Sequence, residues 1–324
     1  MTDRPSEFAL IAQLFAPLAE APGAFGLTDD VALLPARADH DLVVTTDALV
    51  EGVHFLADDP PDSIAKKALR ANLSDLAAKG AEPAGYLLAL TLPARISMTW
   101  LEGFARGLGE DQKRFAMPLL GGDTTATPGP LTLAITAMGY VPVGALIRRA
   151  GAKAGDGVYV SGTIGDAGAG LALLKGERAD INGDDAAMLI GRYRLPSPRL
   201  ALGRALQGVA SAALDVSDGL IADLSHIAEV SRVRITVEAG RIPRSPALRA
   251  LWGDTAEAIV RAATAGDDYE IAFTSSSERR VVEAAKLAGV GVTRIGRVEE
   301  GSGVALLDSN GREITVARAG FTHF

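Results

Sequence analysis

Short apolar runs alternate with stretches of helical spacing along the whole chain, and the alternation restarts once, after a Pro/Gly-rich basic stretch at residues 142–157. Such alternation is satisfied by sheets with helices packed on them, so the fold class expected is α/β or α+β. In the first half the pattern predicts helices over Glu7 to Ala19, Asp62 to Lys79 and Thr99 to Phe115. Strands are predicted over Val31 to Leu34, Leu42 to Thr46, Tyr86 to Leu92, Pro118 to Leu120 and Leu131 to Val141. The second half reads as strands Val158 to Ser161, Ala212 to Val216, Arg234 to Glu238, Tyr269 to Thr274, Val292 to Val298, Val304 to Leu307 and Ile314 to Val316. Its helices follow the Gly-rich turn to Leu174, then run over Pro198 to Gln207, Gly219 to Val230, Thr255 to Ala263 and Ser277 to Ala288. At 324 residues the chain is long enough for two domains, set at 1–145 and 146–324.

Five acidic motifs punctuate this pattern, most with an aspartate beside a hydroxyl: Thr28-Asp29-Asp30, Thr45-Thr46-Asp47, Leu73-Ser74-Asp75, Gly121-Gly122-Asp123-Thr124-Thr125 and Asp215-Val216-Ser217-Asp218-Gly219. Several close an apolar run. Carboxylate and hydroxyl oxygens are what Mg²⁺ accepts, a hard cation that often bridges to substrate phosphates. The 40 acidic against 32 basic residues argue against a nucleic-acid surface, which needs clustered Lys and Arg. With no cysteine and four histidines, thiolate nucleophiles, disulfides and thiolate zinc sites are excluded. Apolar stretches break well before the roughly 18 residues of a membrane span. The start of the sequence lacks a basic-then-apolar leader pattern, so a cytoplasmic protein is expected.

Each motif also has a plainer reading. An aspartate at a strand end forms turns as readily as it binds metal, and His54 beside Phe55 fits a half-buried core position. Helical spacing puts Asn72, Asp75 and Lys79 on one stripe, which water could solvate; the surrounding alanines favour an inward Asp75. Asp215 and Ser217 lie on one side of an extended segment, while Ser217 or Asp218 could merely cap the following helix. Gly162-Thr163-Ile164-Gly165-Asp166-Ala167-Gly168-Ala169-Gly170 follows a strand and opens a helix as phosphate loops do, but matches no phosphate-loop signature.

Together, TTDALVEGVHF (45–55), KKALRANLSDLAAKGAEP (66–83), GGDTT (121–125), RAGAKAGD (149–156), LDVSDGLIADL (214–224) and GDDYE (266–270) strongly resemble the thiamine-monophosphate kinase family, of the aminoimidazole-ribonucleotide synthetase superfamily. The likeness is collinear from Glu7 to Phe324. It implies Mg²⁺-dependent transfer of the γ-phosphoryl group of ATP to thiamine monophosphate, giving thiamine diphosphate. It also implies a homodimer whose N-terminal mixed sheets pair into a β-barrel flanked by helices, a C-terminal α/β sandwich, and a cleft between the domains for ATP and several Mg²⁺. Asp30, Thr45, Thr46, Asp47, Asp75, Asp123, Asp215 and Asp218 correspond to metal ligands. Gly122, Asp123, Arg149 and Ser217 correspond to nucleotide contacts, and His54, Asp267 and Phe321 to contacts with the thiamine substrate. Asp47, Asp75, Asp123 and Arg149 form the expected catalytic set. The chain departs from the family where Gly-Asp-Asp becomes Thr28-Asp29-Asp30 and where Gly-Glu-Asp-Tyr-Glu becomes Gly266-Asp267-Asp268-Tyr269-Glu270; no adenine-stacking aromatic is assigned within Gly103 to Phe115.

The residues suit that reaction. A phosphate monoester with a second pKa near about 6 is already largely a dianion at neutral pH, so direct in-line attack needs no general base and no phosphoenzyme. Two other readings stand beside it: a sister ATP-dependent synthetase or maturation enzyme, against which VEGVHF and the missing cysteine argue, and a silent Mg-nucleotide-binding protein.

Overall fold

The computed structural model describes residues 5–177 and 181–323. It divides into two units, one of residues 1–76 and 81–143 and one of residues 77–80 and 144–324.

In the first unit α1 (Glu7–Leu10) runs on through a wide π turn, Ile11–Phe15, and a 3-10 turn, Ala16–Leu18, in which Pro17 ends regular helix. The remaining elements are β1 (His40–Val50), α2 (Pro61–Ala78), β2 (Glu82–Pro93), α3 (Met98–Phe115), β3 (Leu119–Thr127) and β4 (Thr132–Pro142). They build a mixed four-stranded sheet of order β1-β4-β2-β3, antiparallel except for the β2–β3 pair. Among the described residues neither sheet closes on itself. Ser97 caps α3 by accepting from the Trp100 N–H at 3.2 Å, and Ala116 ends it in left-handed backbone.

Helix α2 is apolar nearly all round, with Ile64, Leu69, Leu73 and Leu76 at most 2% exposed, so its polar residues are buried too. Lys67, Arg70, Asn72 and Ser74 are therefore each forced to find partners inside or go without. Arg70 meets the α3 carboxylate Asp111 through two bonds, Nε to Oδ2 at 2.5 Å and Nη2 to Oδ1 at 2.8 Å.

The second unit carries β5 (Gly157–Ser161), α4 (Asp166–Leu174), α5 (Gly183–Arg194), α6 (Leu200–Ala205), β6 (Ala212–Asp215) and α7 (Leu220–Ser231). These are followed by β7 (Arg234–Glu238), α8 (Pro246–Trp252), α9 (Ala256–Ala263), β8 (Ile271–Ser275), α10 (Glu278–Ala288), β9 (Val292–Glu299) and β10 (Gly303–Leu307). Their sheet has the order β10-β7-β9-β5-β8-β6, with β10–β7 parallel and the other pairs antiparallel. The core lies under this sheet, where Val158, Val160, Leu214, Leu220, Leu224 and Ile235 are buried together.

Four expectations are corrected. Val31 to Leu34 is not a strand: Val31 and Leu33 stand in solvent and the Leu33 N–H is spent on Gly23 O, leaving no neighbour to pair with. Ile314 to Val316 forms no strand beyond one bridge between Glu313 and Leu307. Tyr269 sits before β8 in left-handed backbone rather than inside the strand. Helices α5 and α8 were not anticipated, although α8 carries an N-terminal signature, Ser245 accepting from Leu248 N–H with Pro246 at the first position.

Removing Asp111 takes two hydrogen bonds and the facing charge from a buried guanidinium. Asp111→Ala is expected to destabilise the first unit by about 3 to 5 kcal/mol, as breaking buried pairs does, read as a lower urea midpoint; an unchanged midpoint would show that Arg70 reaches other acceptors.

Candidate functional site

In the first unit, strand alternation sorts the expected residues onto two faces. Successive side chains of a strand point to opposite sides, so Thr45, Thr46 and Asp47 of β1 cannot all face one point. Thr45 and Asp47 share the side met by α2: the Thr45 hydroxyl donates to Asp75 Oδ2 at 2.5 Å, and the Asp47 N–H donates to Asn72 Oδ1 at 3.2 Å. Asp75 is thus turned inward, as its alanine-rich surroundings suggested. Lys79 leaves the stripe because the helix ends at Ala78, and its ammonium donates to Ala213 O at 2.7 Å.

Thr46 faces the other, open side. It pairs in register with Thr136, which pairs with Leu87, which pairs with Gly121. Its hydroxyl lies 3.2 Å from that of Thr136 and 3.1 Å from Ile135 O. On this side a groove of about 750 Å³ is lined by Asp30, Gly122, Asp123 and Thr136, with Phe8 and Phe15 from the N-terminal turns. A Cβ at Gly122 would overlap Leu88 O, so only glycine lets β3 run this close to β2. His54 belongs to neither set. Its Nδ1 accepts from the Val50 N–H at 3.0 Å, and the buried Lys67 ammonium donates to its carbonyl at 2.9 Å, which together pin the turn after β1.

The second unit gathers its expected residues more tightly. Strand β6 ends on Asp215, 6% exposed, and the chain turns through Ser217, Asp218 and Gly219 into α7. Two distant segments bond to that turn through three N–H groups: Asp267 to Ser217 O at 2.8 Å and Tyr269 to Val216 O at 2.7 Å from the first, and Phe321 to Asp218 O at 2.9 Å from the second. Asp215, Ser217, Asp218, Asp267 and Phe321 therefore share one backbone knot. Phe321, exposed, makes an edge contact with His323 at 4.9 Å between ring centres. Arg149 is exposed on the segment beside β6, where the neighbouring Arg148 carbonyl accepts from Ala213 N–H at 2.9 Å.

Carboxylates that the motifs did not single out hold this knot. Asp223, in the first turn of α7, accepts from the N–H groups of Ser217, Asp218 and Gly219, each at 3.1 Å, so the cap comes from inside the helix rather than from Ser217. Burial and the nearby Asp218 push its carboxyl up to about 7, against those three donors. Asp268 accepts from the Gly165 N–H at 2.6 Å and the Ala167 N–H at 3.3 Å. Burial pushes its carboxyl well above the ordinary carboxylate range. One donor of the Gly-rich loop and one in the first turn of α4 thus go to the protein's own carboxyl, and the Gly162 and Ile164 N–H groups go to the carbonyls of Gly291 and Pro243. Glu270, wholly buried, is met by Arg199 through Nε at 2.7 Å and Nη2 at 2.5 Å, by Arg192 at 2.8 Å and by the Ser161 hydroxyl at 2.6 Å. A methyl at Gly162, whose φ is +57°, would overlap the Glu270 carboxylate. No local signal marks Asp268 and Glu270 as the inward pair, since Asp267-Asp268-Tyr269-Glu270 carries a polar group at every position.

Among the described residues no group of three or more His, Asp or Glu side chains converges to hold a metal, and no helix is long and apolar enough to cross a membrane. The donors present in each set are oxygens, in pairs or beside hydroxyls.

Compared with known proteins, residues 28–141 match the family described as AIR synthase related protein, N-terminal domain, and residues 153–309 its C-terminal domain. The chain is 47% identical over 326 residues to the thiamine-monophosphate kinase of Caulobacter vibrioides, covering 98% of this chain and 91% of that protein. It superposes on the solved thiamine-monophosphate kinase of Stenotrophomonas maltophilia K279a with a TM-score of 0.85 at 42% identity, over 95% of this chain and 98% of that one. AaThiL complexed with AMPPCP and TMP gives a TM-score of 0.78 at 32% identity, over 98% of this chain and 97% of that one. The chain belongs to the thiamine-monophosphate kinase family.

Asp223 makes stability depend on pH. Its folded state favours the protonated form, so its contribution is full below the ordinary value of 3.8 and is lost as pH rises through about 7. In metal-free buffer the wild type is expected to lose stability relative to Asp223→Asn over that range, by at most about 4 kcal/mol. Parallel pH profiles of the two proteins in thermal melts would mean that the three N–H donors outweigh burial.

Proposed function

We propose that this protein transfers the γ-phosphoryl group of ATP to thiamine monophosphate, directly and with Mg²⁺. The observation that carries the reading is the knot in the second unit, where residues expected for nucleotide, metal and thiamine contacts bond to one turn although they lie far apart in sequence. A relative 32% identical holds AMPPCP and TMP together, in keeping with two phosphate-bearing ligands.

The chemistry asks for little beyond positioning and charge control. The acceptor monoester is already a dianion, so no side chain need remove a proton. Two phosphate groups repel by about 4 kcal/mol per pair of unit charges at about 4 Å and an effective dielectric of roughly 20. Asp47 and Asp75 beside Thr45 in the first unit, Asp30 and Asp123 near Thr46 on the open face, and Asp215 and Asp218 in the second unit would hold Mg²⁺. The donor sets fit that ion, which commonly takes one or two carboxylates and fills its shell with water and phosphate oxygens. Bound there, Mg²⁺ supplies neutralisation of the phosphate charge. Gly122 and Ser217 would lie against the nucleotide, Arg149 would offer its fork of donors to a phosphate, and His54, Asp267 and Phe321 would hold thiamine.

We read residues 1–145 as the dimerisation and metal-binding part and 146–324 as the part that completes the site. Exposed Leu42 and Val44 on the open face of the first sheet suit pairing with a second copy into a barrel. A one-chain mass by light scattering would remove the dimer. Cytoplasmic location is part of the same reading; recovery of the native protein in the envelope fraction of its cells would oppose it.

The test offers thiamine monophosphate, thiamine and aminoimidazole ribonucleotide precursors side by side with γ-labelled ATP. Label is expected in a product only with the first and none on the protein; consumption driven by a precursor would favour a sister synthetase, and ATP binding without turnover a silent binder. Asp47→Asn and Asp75→Asn are each expected to reduce kcat by at least about 100-fold with the fold intact by circular dichroism. A near-normal rate at saturating Mg²⁺ would take that residue out of the metal set.

A further inference from the structure

The segment 266–270 is held in an unfavourable shape. Asp267 and Tyr269 have φ of +69° and +51°, two left-handed residues around one buried aspartate, and neither is glycine. Such backbone persists only where its surroundings over-determine it. On one side, the Asp267 and Tyr269 N–H groups are fixed to Ser217 O and Val216 O. On the other, Arg192 of α5 places Nη2 3.2 Å from the Asp268 carbonyl and 2.8 Å from Glu270 Oε1. That carbonyl lies between the two left-handed residues.

Glu270 does not depend on Arg192 for its charge balance. Arg199 binds it through two nitrogens and Ser161 through its hydroxyl. The contact peculiar to Arg192 in this clamp is the bond to the Asp268 backbone, and its side chain is 16% exposed against 0% for Glu270. We infer that Arg192 is a positioning residue, which sets the backbone of 266–270 through the Asp268 carbonyl and so aims Asp267 at the substrate. The inference rests on reading Asp267 as a contact of the thiamine substrate.

The experiment compares wild type, Arg192→Gln and Arg192→Lys by hydrogen–deuterium exchange and by kinetics. In Arg192→Gln the Asp267 and Tyr269 amides are expected to exchange roughly ten-fold faster while β8 amides keep their rates. KM for thiamine monophosphate is expected to rise roughly ten-fold with KM for ATP within about two-fold. Arg192→Lys, which keeps a donor and the charge, is expected to recover part of both effects. Unchanged exchange at 266–270 in both variants overturns the inference, and so does an equal rise of both KM values with faster exchange throughout the second unit. Should the wild type fail to consume ATP with thiamine monophosphate, the functional reading falls instead, and the exchange rates alone decide the role of Arg192.

Discussion

A carboxylate removed from water must be met by donors or lose its charge, and the second unit solves that problem three times around one turn. Asp223 takes the N–H groups of the turn itself, Asp268 takes those of the Gly-rich loop, and Glu270 takes two guanidinium groups and a hydroxyl. Asp223 fixes a local turn, while Asp268 and Glu270 tie together segments that local propensity leaves independent. Without Asp268 the loop before α4 has unspent donors; without Glu270 two arginines lie beside a buried void. The exposed-side residues, Asp218, Asp267 and Phe321, hold their places because this inner layer is over-determined.

The first unit relies on a different constraint, the period of the strand. Three consecutive residues Thr45-Thr46-Asp47 look like one ligand group in sequence, but the pleat sends Thr46 to the open face and its neighbours toward α2. Two oxygen sets on two sides of one strand suit an enzyme that has to manage more than one charged ligand, and hard cations accept such sparse sets because water and phosphate complete them. Helix α2 is then the element that aims Asp75, and burying it all round is what lets Asn72 and Asp75 reach β1.

Much of the architecture was legible. Apolar period and breaker residues located α2, α3, β4, α7 and α10 nearly to the residue, because those elements are long or sharply capped, and found the middle of β1 but neither of its ends. Val31 to Leu34 misled because a short apolar run states only that a segment could pair, and no strand is there to accept it. Helix α5 was missed since its period is diluted by Gly183, Gly191 and flanking charge, and with it went Arg192. In Gly266-Asp267-Asp268-Tyr269-Glu270 the motif was seen but its inward half was not, as nothing local distinguishes a carboxylate facing water from one facing Arg199.

By itself, the sequence determined the alternation of helices and strands and the kind of atoms available for chemistry: oxygens, with no thiol and few imidazoles. These follow from residue type and spacing, which act over a few positions of the chain. Only the tertiary structure decided which acidic side chains stay partly exposed and which serve as buried hydrogen-bond acceptors, because that depends on what long-range packing sets opposite each one. Asp267 and Asp268 are neighbours with the same side chain, and their surroundings alone give them different work.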